Sequence, residues 1–105
     1  MRIISGKYKG KKITIPKQFR SRPTTDFAKE NLFNIISNYF DFEEINVLEL
    51  FAGTGSISFE FVSRGCSDID LVESDSRLCV FISKVAADLD TNAINLEHDD
   101  AFKYI

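Results

Sequence analysis

The stretch INVLELFAGTG, residues 45–55, decides the fold of this chain. Its first seven residues are mostly apolar and include β-branched side chains, which is typical of a buried parallel strand. Gly53 and Gly55 follow, and glycine allows a strand to turn sharply into a helix while the backbone passes close to a ligand. The stretch therefore predicts a strand over 45–51, a tight turn, and a helix that begins near Ser56.

The rest of the chain alternates between helix and strand signals. The predicted elements are a helix over about 26–39 capped by Thr25 or Asp26, a helix over about 56–64 closed by Gly65, a strand over 68–73, a helix from Asp75 or Ser76, a strand over about 93–97, and a turn or helix from 99–102. Such alternation favours an α/β fold, with a parallel sheet and helical crossovers. In the helix over 26–39, one apolar set is predicted to share a face: Leu32, Phe33, Ile35, Ile36 and Tyr39.

The N-terminal segment has a different pattern. Apolar residues alternate loosely with polar ones over 2–15, and Gly6 and Gly10 interrupt them, which predicts a basic β-hairpin. A turn at Pro16 and a linker over 17–24 follow. We therefore divide the chain into a basic hairpin and linker, 1–24, and a partial α/β domain, 25–105.

Charge is distributed unevenly along the chain. The net charge is −3, yet residues 1–22 hold eight of the 13 basic residues and none of the 16 acidic ones. Phosphate backbones are the commonest partner of such a positive segment. The alternative is a solvated edge hairpin, on which lysine side chains block aggregation. Charge alone does not separate these two interpretations.

Several classes of protein are disfavoured. No apolar run approaches the roughly 18 residues of a membrane-spanning helix. The charged N-terminus argues against an export signal, so we expect a cytoplasmic protein. Cys66 and Cys79 match neither a metal-ligand spacing nor a disulfide framework, and we expect no metal ion.

Acidic residues are predicted at the carboxyl ends of three successive strands, where open α/β sheets bind ligands in one crevice. Glu49 precedes the glycine turn and would repel a pyrophosphate, and Ser58 stands where dinucleotide-binding turns have a third glycine. S-adenosylmethionine carries a sulfonium and an ammonium group and no phosphate, so an acid there suits it. Glu73 could accept the ribose hydroxyls, and Asp100 the adenine amino group. Taken singly, Glu73 or Asp100 could equally be a helix cap or a solvated turn residue.

Five segments, in order, resemble the RsmD family of bacterial methyltransferases, which modify guanine N2 in small-subunit (16S) ribosomal RNA. They are RIISGKYKGKKITIP, RPTTDFAKENLFNII, VLELFAGTGSISFEFVSRG, LVESD and DDAF. The resemblance covers essentially the whole chain. It implies the class I Rossmann-like methyltransferase fold, with S-adenosylmethionine as cofactor and S-adenosylhomocysteine as product.

The resemblance also implies roles for individual residues. The cofactor-binding residues it implies are Thr24, Thr25, Lys29, Glu49, Phe51, Gly53, Gly55, Glu73, Asp100 and Ala101. The basic hairpin becomes the RNA-facing element, and its candidate contacts are Arg2, Lys7, Tyr8, Lys9, Lys11, Lys12, Arg20 and Arg22.

One departure from the family pattern limits these expectations. Amino-methylating members carry an Asn/Asp-Pro-Pro-Tyr/Phe motif after a fourth strand, whereas this chain has only Pro16 and Pro23 and ends at Ile105. We therefore name no catalytic residue, and expect a fragment that is inactive alone, binds cofactor weakly, and self-associates through the exposed strand 45–51. Two other functions remain open: a non-catalytic RNA-binding module, and a fragment of an NAD-type oxidoreductase.

Overall fold

A computed structural model describes residues 1–19 and 24–105 of the chain. A 3-10 turn, Lys17–Phe19, precedes four helices and three strands. The helices are α1 (Asp26–Ser37), α2 (Ser56–Ser63), α3 (Ser76–Asp88) and α4 (Ala101–Tyr104), and the strands are β1 (Val47–Leu50), β2 (Ile69–Glu73) and β3 (Ile94–His98). The alternation of strand and helix from Val47 onward confirms the predicted α/β class. In the described ranges, no helix is both long and apolar enough to cross a membrane.

The three strands form one parallel sheet in the order β1-β2-β3. Val47 is paired with Ile69, and Ile69 with Ile94, so the strands are nearly in step. Because all three run in the same direction, their carboxyl ends lie along one edge of the sheet. This edge is where the predicted acidic residues are expected to meet.

Strand β2 occupies the centre of the sheet, and the core forms around it. Ile69, Leu71 and Val72 are fully buried. Phe59 of α2 and Ile82 of α3 are also fully buried, and both belong to the core cluster that contains β2 residues. Burying apolar surface of this kind is the main favourable contribution to folding, and here it fixes both helices against the sheet.

The N-terminal loop, residues 1–15, folds as a short hairpin without regular strands. The chain folds back on itself through an antiparallel bridge between Arg2 and Lys12. The backbone N–H groups of Ile3 and Ile13 also donate to the carbonyls of Lys11 (3.0 Å) and Met1 (2.8 Å), so the two arms pair as the expected hairpin, without regular strands. Gly6 and Gly10 adopt φ of +89° and +81°, and the backbone turns repeatedly between them. The loop nevertheless packs on the domain, because Ile3 belongs to the same core cluster as β2.

A buried ionic network anchors this loop. The carboxylate of Glu60, on α2, accepts hydrogen bonds from the backbone N–H groups of Ile4 (2.8 Å) and Ser5 (3.1 Å) and from Arg64 Nε (2.8 Å). Lys29 Nζ, on α1, lies 3.6 Å from Glu60 Oε1. Burial lowers the pKa of Lys29, while the charge of Glu60 opposes that shift. The network therefore joins α1, α2 and the N-terminal loop.

Helix α1 differs from prediction. It ends at Ser37 rather than near residue 39, and Phe33 is the only member of its predicted apolar face that is fully buried. Ile35 and Tyr39 are 59% and 76% exposed. Strand β1 lies at the edge of the described sheet, and Leu48 on it is 51% exposed. Apolar surface is thus left uncovered on α1 and β1.

Candidate functional site

A crevice opens along the edge where the three strands end, and we call it the carboxyl-end crevice. Its larger part, about 650 Å³, is lined by Glu49 and by the turn over 52–54. Its smaller part, about 100 Å³, is lined by Glu73 and Asp100, and Phe51 lines both parts. The three acidic residues singled out in the sequence therefore line two adjoining depressions that share Phe51.

The glycine turn connects β1 to α2 in the backbone conformation that was expected. Gly53 and Gly55 have φ of +61° and +80°, which side-chain-bearing residues rarely adopt. A Cβ on Gly55 would lie 2.9 Å from the ring of Phe59 and would force it to move, whereas Gly53 has open space around its Cα. The N-cap residue of α2, Gly55, has no side chain that could accept a hydrogen bond from the first backbone N–H groups of the helix.

Glu73 is buried and ties this turn to β2. Its Oε1 accepts a hydrogen bond from the backbone N–H of Gly53 at 2.8 Å, and its Oε2 accepts one from Asp75 N–H at 2.9 Å. A carboxylate oxygen has two lone pairs, so each oxygen retains capacity to accept from a ligand hydroxyl. The Glu73 carboxylate thus both shapes the turn and lines the crevice.

Glu49 has a different environment. Burial raises the pKa of Glu49 to about 7, and the hydrogen bond that Ser58 Oγ donates to Glu49 Oε2, at 3.1 Å, opposes this shift. A cation in the crevice would favour the ionised carboxylate. The sequence marked Ser58 only as a missing glycine, and its hydrogen bond to Glu49 was missed. The only sequence signal for this hydrogen bond was a small polar residue, Ser58, in the first turn of the predicted helix.

Asp100 follows β3 rather than ending it, since that strand stops at His98. Asp100 Oδ1 accepts a hydrogen bond from Phe102 N–H at 2.8 Å and so caps α4, the alternative role left open by the sequence. Ala101 is buried beside it and lines the smaller part of the crevice. At the mouth, the rings of Phe51 and Phe102 meet edge to face with centroids 5.7 Å apart. Phe51 has φ of +57°, a strained conformation of the kind that clusters at functional sites.

The three remaining cofactor candidates lie at the start of α1. Thr24 lines the larger part of the crevice. Thr25 caps α1, because its Oγ1 accepts a hydrogen bond from Ala28 N–H at 3.1 Å. Lys29 Nζ donates to Ser56 Oγ at 3.1 Å, and it is therefore next to the glycine turn while fully buried among protein groups.

Some of the candidate RNA contacts have exposed side chains, and others are held by contacts within the protein. The exposed lysines of the N-terminal loop are Lys7, Lys9, Lys11 and Lys12. Arg2 pairs with Asp26 at 3.1 Å, and Tyr8 donates its hydroxyl to the carbonyl of Leu89 at 2.7 Å, which holds the loop against the end of α3. Arg20 and Arg22 lie outside the described residues. Within 1–19 and 24–105, no cluster of His, Cys, Asp or Glu could hold a metal ion.

A parallel sheet with a glycine turn after its first strand and acids at its strand ends is typical of the Rossmann-like α/β fold. The fold is shared with solved methyltransferases. The chain superposes on the Escherichia coli structure "Putative methyltransferase yhhF" with a TM-score of 0.87 and 28% identity, covering 99% of this chain and 55% of that one. A Thermus thermophilus protein of 21% identity shares the fold with a TM-score of 0.84.

The sequence comparisons define the family. The family model "Conserved hypothetical protein 95" matches residues 1–105. The "Ribosomal RNA small subunit methyltransferase D" of Escherichia coli K12 is 30% identical over 105 residues, which is 100% of this chain and 52% of that protein. The "Uncharacterized methylase RP545" of Rickettsia prowazekii is 35% identical over 97% of this chain and 44% of its own length. The chain belongs to this family, the RsmD family indicated by its motifs, and spans about half the length of these relatives.

Proposed function

We propose that this chain is the cofactor-binding part of an S-adenosylmethionine-dependent methyltransferase that acts on the exocyclic N2 of a guanine in small-subunit ribosomal RNA. One observation carries the proposal: Glu49 lines one depression beside the glycine turn, Glu73 and Asp100 line the next, and Phe51 lines both. The names of its relatives support ribosomal RNA as the substrate class. Such a substrate implies a cytoplasmic protein.

The crevice suits an adenosyl compound that carries positive charge. Its larger part falls within the roughly 300–1,000 Å³ of small-molecule sites. Burial disfavours the ionised carboxylate of Glu49, and a nearby cation would offset that cost. Glu73 offers oxygen atoms that can accept hydrogen bonds from the ribose hydroxyls. The adenine would lie near Asp100 and Ala101, beside the ring of Phe51, and the methionine end would lie near Thr24, in the larger part of the crevice.

An NAD-type dinucleotide fits less well. A pyrophosphate at the glycine turn would be close to the partly buried carboxylate of Glu49, and like charges repel strongly where water is excluded. Ser58, at the position of the third dinucleotide-binding glycine, is fully buried and donates to Glu49. Ser58 thus departs from the dinucleotide pattern, and it also donates a hydrogen bond to Glu49, the acid that would repel a phosphate.

When it is bound, S-adenosylmethionine supplies an electrophilic methyl group. The residues of this chain would bind and orient the adenosyl and methionine parts, with Glu49 balancing positive charge and Glu73 holding the ribose against the turn. A guanine amine is a weak nucleophile, because its lone pair is delocalised, so alignment of the reacting atoms is the main requirement. The base must leave its stack to reach the crevice. We assign no catalytic residue within this chain and expect it to transfer no methyl group by itself.

Thermal unfolding of the chain with S-adenosylhomocysteine, and separately with NADH, tests the proposal. A ligand at 100 times its dissociation constant stabilises the folded state by about 2.7 kcal/mol, which is easily measured. We expect S-adenosylhomocysteine to raise Tm and NADH to leave it unchanged. Stabilisation by NADH alone would favour the oxidoreductase alternative. Binding of RNA with no response to either ligand would favour a non-catalytic RNA-binding module.

A further inference from the structure

A second depression lies outside the carboxyl-end crevice, between the N-terminal loop and α3. We call it the α3 groove, and its volume is about 820 Å³. Lys11 and Lys12 line it from the loop, and Arg77 and Lys84 line it from α3. Residues 77, 80, 81, 84 and 88 recur at helical spacing and so share one face of α3. The groove therefore has basic side chains on two walls that are far apart in the sequence.

The distribution of charge makes these two walls unusual in this chain. Beyond residue 22 there are only five basic residues against all 16 acidic ones. Two of the five, Lys29 and Arg64, are held by Glu60 in the buried network. Of the other three, Arg77 and Lys84 both line the α3 groove, where Asp88 is the only acidic lining residue. Basic side chains of the loop and of α3 therefore line the same groove.

The floor of the groove is apolar. Phe19 and Phe81 pack together with ring centroids 6.3 Å apart, and Val80 between the basic residues of α3 is 70% exposed. Arg77 places its guanidinium 5.7 Å from the centroid of Phe19, and it also pairs with Asp75. Basic walls that follow a phosphate backbone, combined with apolar and aromatic surface for bases, are characteristic of single-strand nucleic-acid sites.

The α3 groove is continuous with the carboxyl-end crevice. Gln18, Phe19 and Arg77 line both depressions. A nucleic-acid strand in the groove would therefore reach the rim of the crevice at these three shared residues. This continuity favours the substrate itself as the occupant over an unrelated partner.

We propose that the α3 groove binds a single-stranded stretch of the substrate RNA, with phosphates on Lys11, Lys12 and Lys84 and with apolar contact at Val80. This inference rests on the proposed function and extends it, because it adds one face of α3 to the RNA-binding surface. An acidic protein segment is the competing occupant, and the experiment separates it from RNA.

The test measures fluorescence anisotropy of a labelled single-stranded RNA of about 15 nucleotides, near the upper site size for one domain. The full chain is titrated over a range of KCl concentrations. Lys84→Glu should weaken binding several-fold, and Lys84→Ala should lower the slope of log K against log salt by about 0.7, the value for one lost phosphate contact on a single strand. Lys103→Glu, the same change on the exposed face of α4, is the matched control and should leave affinity close to that of the wild type.

Two readouts make the outcome decisive. RNA that contains 4-thiouridine should crosslink to peptides covering residues 77–84, and circular dichroism verifies that each variant is folded. Three outcomes would overturn the inference. Lys84→Glu and Lys103→Glu could weaken binding equally, or the wild type could fail to bind RNA. Polyglutamate could also bind as tightly as RNA does and in a Lys84-dependent way. Stabilisation by S-adenosylhomocysteine should be unchanged in Lys84→Glu. If S-adenosylhomocysteine did not stabilise the wild type, this result would count against the proposed function, and the α3 groove would remain an RNA site.

Discussion

Glu73 Oε1 accepts a hydrogen bond from the backbone N–H of Gly53 at 2.8 Å, across 20 residues of sequence. The acid at the end of β2 thereby holds the turn that follows β1. The same carboxylate is the proposed acceptor for the ribose hydroxyls. The shape of the glycine turn and the capacity to bind an adenosyl group are therefore linked through one side chain.

Replacing Glu73 by Gln should affect stability and ligand binding together. A glutamine keeps one acceptor oxygen but turns an N–H₂ group toward one of two buried backbone N–H donors. Leaving such a donor unsatisfied costs about 1–3 kcal/mol in the free energy of unfolding, which urea denaturation measures. S-adenosylhomocysteine binding, followed by calorimetry, should be lost. Glu97→Gln, on an exposed position of β3, is the control, and a Glu73→Gln protein that binds as the wild type does would contradict the assignment.

The stability of the chain should depend on pH through Glu49. Its pKa is about 7 in the folded chain, against an ordinary value of 4.5, so between these values the folded state binds more protons than the unfolded state. The contribution of the protonated Glu49 is thus complete below pH 4.5 and is lost as pH rises through 7. Urea denaturation at a series of pH values should show the wild type losing stability relative to Glu49→Gln over this range. Parallel curves for the two proteins would show that Glu49 titrates normally.

Gly55 and Gly10 provide a matched pair for the glycine turn. Both have φ near +80°, but a Cβ on Gly55 meets the Phe59 ring at 2.9 Å, whereas one on Gly10 meets nothing within 4 Å. Gly10→Ala should cost about 1–2 kcal/mol, the strain of a left-handed residue. Gly55→Ala should cost about 1–3 kcal/mol more, because the clash adds overpacking, and it should also weaken S-adenosylhomocysteine binding. Equal losses of stability in thermal unfolding would mean that close packing at the turn is unimportant.

The buried network around Glu60 should be a major source of stability. Glu60→Gln leaves the charges of Lys29 and Arg64 buried without their carboxylate, and breaking a buried pair typically costs about 3–5 kcal/mol. Denaturation of the variant, compared with Glu30→Gln on the exposed side of α1, measures the effect. Lys29→Met combined with Glu60→Gln should recover part of the loss, because it removes one of the stranded charges. A cost below 1 kcal/mol for Glu60→Gln alone would be inconsistent with the burial of the pair.

Self-association through β1 remains a prediction, and the exposed apolar surface there gives it a test. Within the described residues β1 pairs only with β2, and unpaired strand edges promote association. We expect light scattering to show a mass that increases with concentration, and Leu48→Lys to reduce it. Val80→Lys introduces the same charge at a more exposed apolar position on α3, where 70% of the residue is exposed against 51% of Leu48, and should have little effect. A monomer at all concentrations would show that the edge is tolerated in solution.

The order and type of the elements from residue 45 onward could be predicted because their signals are local. Gly53 and Gly55 mark the turn, and Asp75 or Ser76 marks the start of α3, which begins at Ser76 with Asp75 as its N-cap. The ends of β1 were less predictable. The strand stops at Leu50, because Phe51 turns into the left-handed conformation, which no pattern in the sequence requires.

Other features depend on contacts between distant residues and left no local signal. The N-terminal loop is held against α2 by Glu60, which is more than 50 residues away in the sequence. Lys29 was singled out for the cofactor's methionine end, but its ammonium lies between Ser56 and the same network. The hydrogen bond from Ser58 to Glu49 was missed because it joins a helix to a strand end.

The central claim is that one crevice at the strand ends receives an adenosyl compound. Nuclear magnetic resonance of the isotope-labelled chain, titrated with S-adenosylhomocysteine, tests it most directly. The account predicts that the backbone amide signals of Gly53, Ser74 and Ala101 shift together and saturate with a single dissociation constant. Shifts confined to the α3 groove, or no shift at these three amides at saturating ligand, would contradict it.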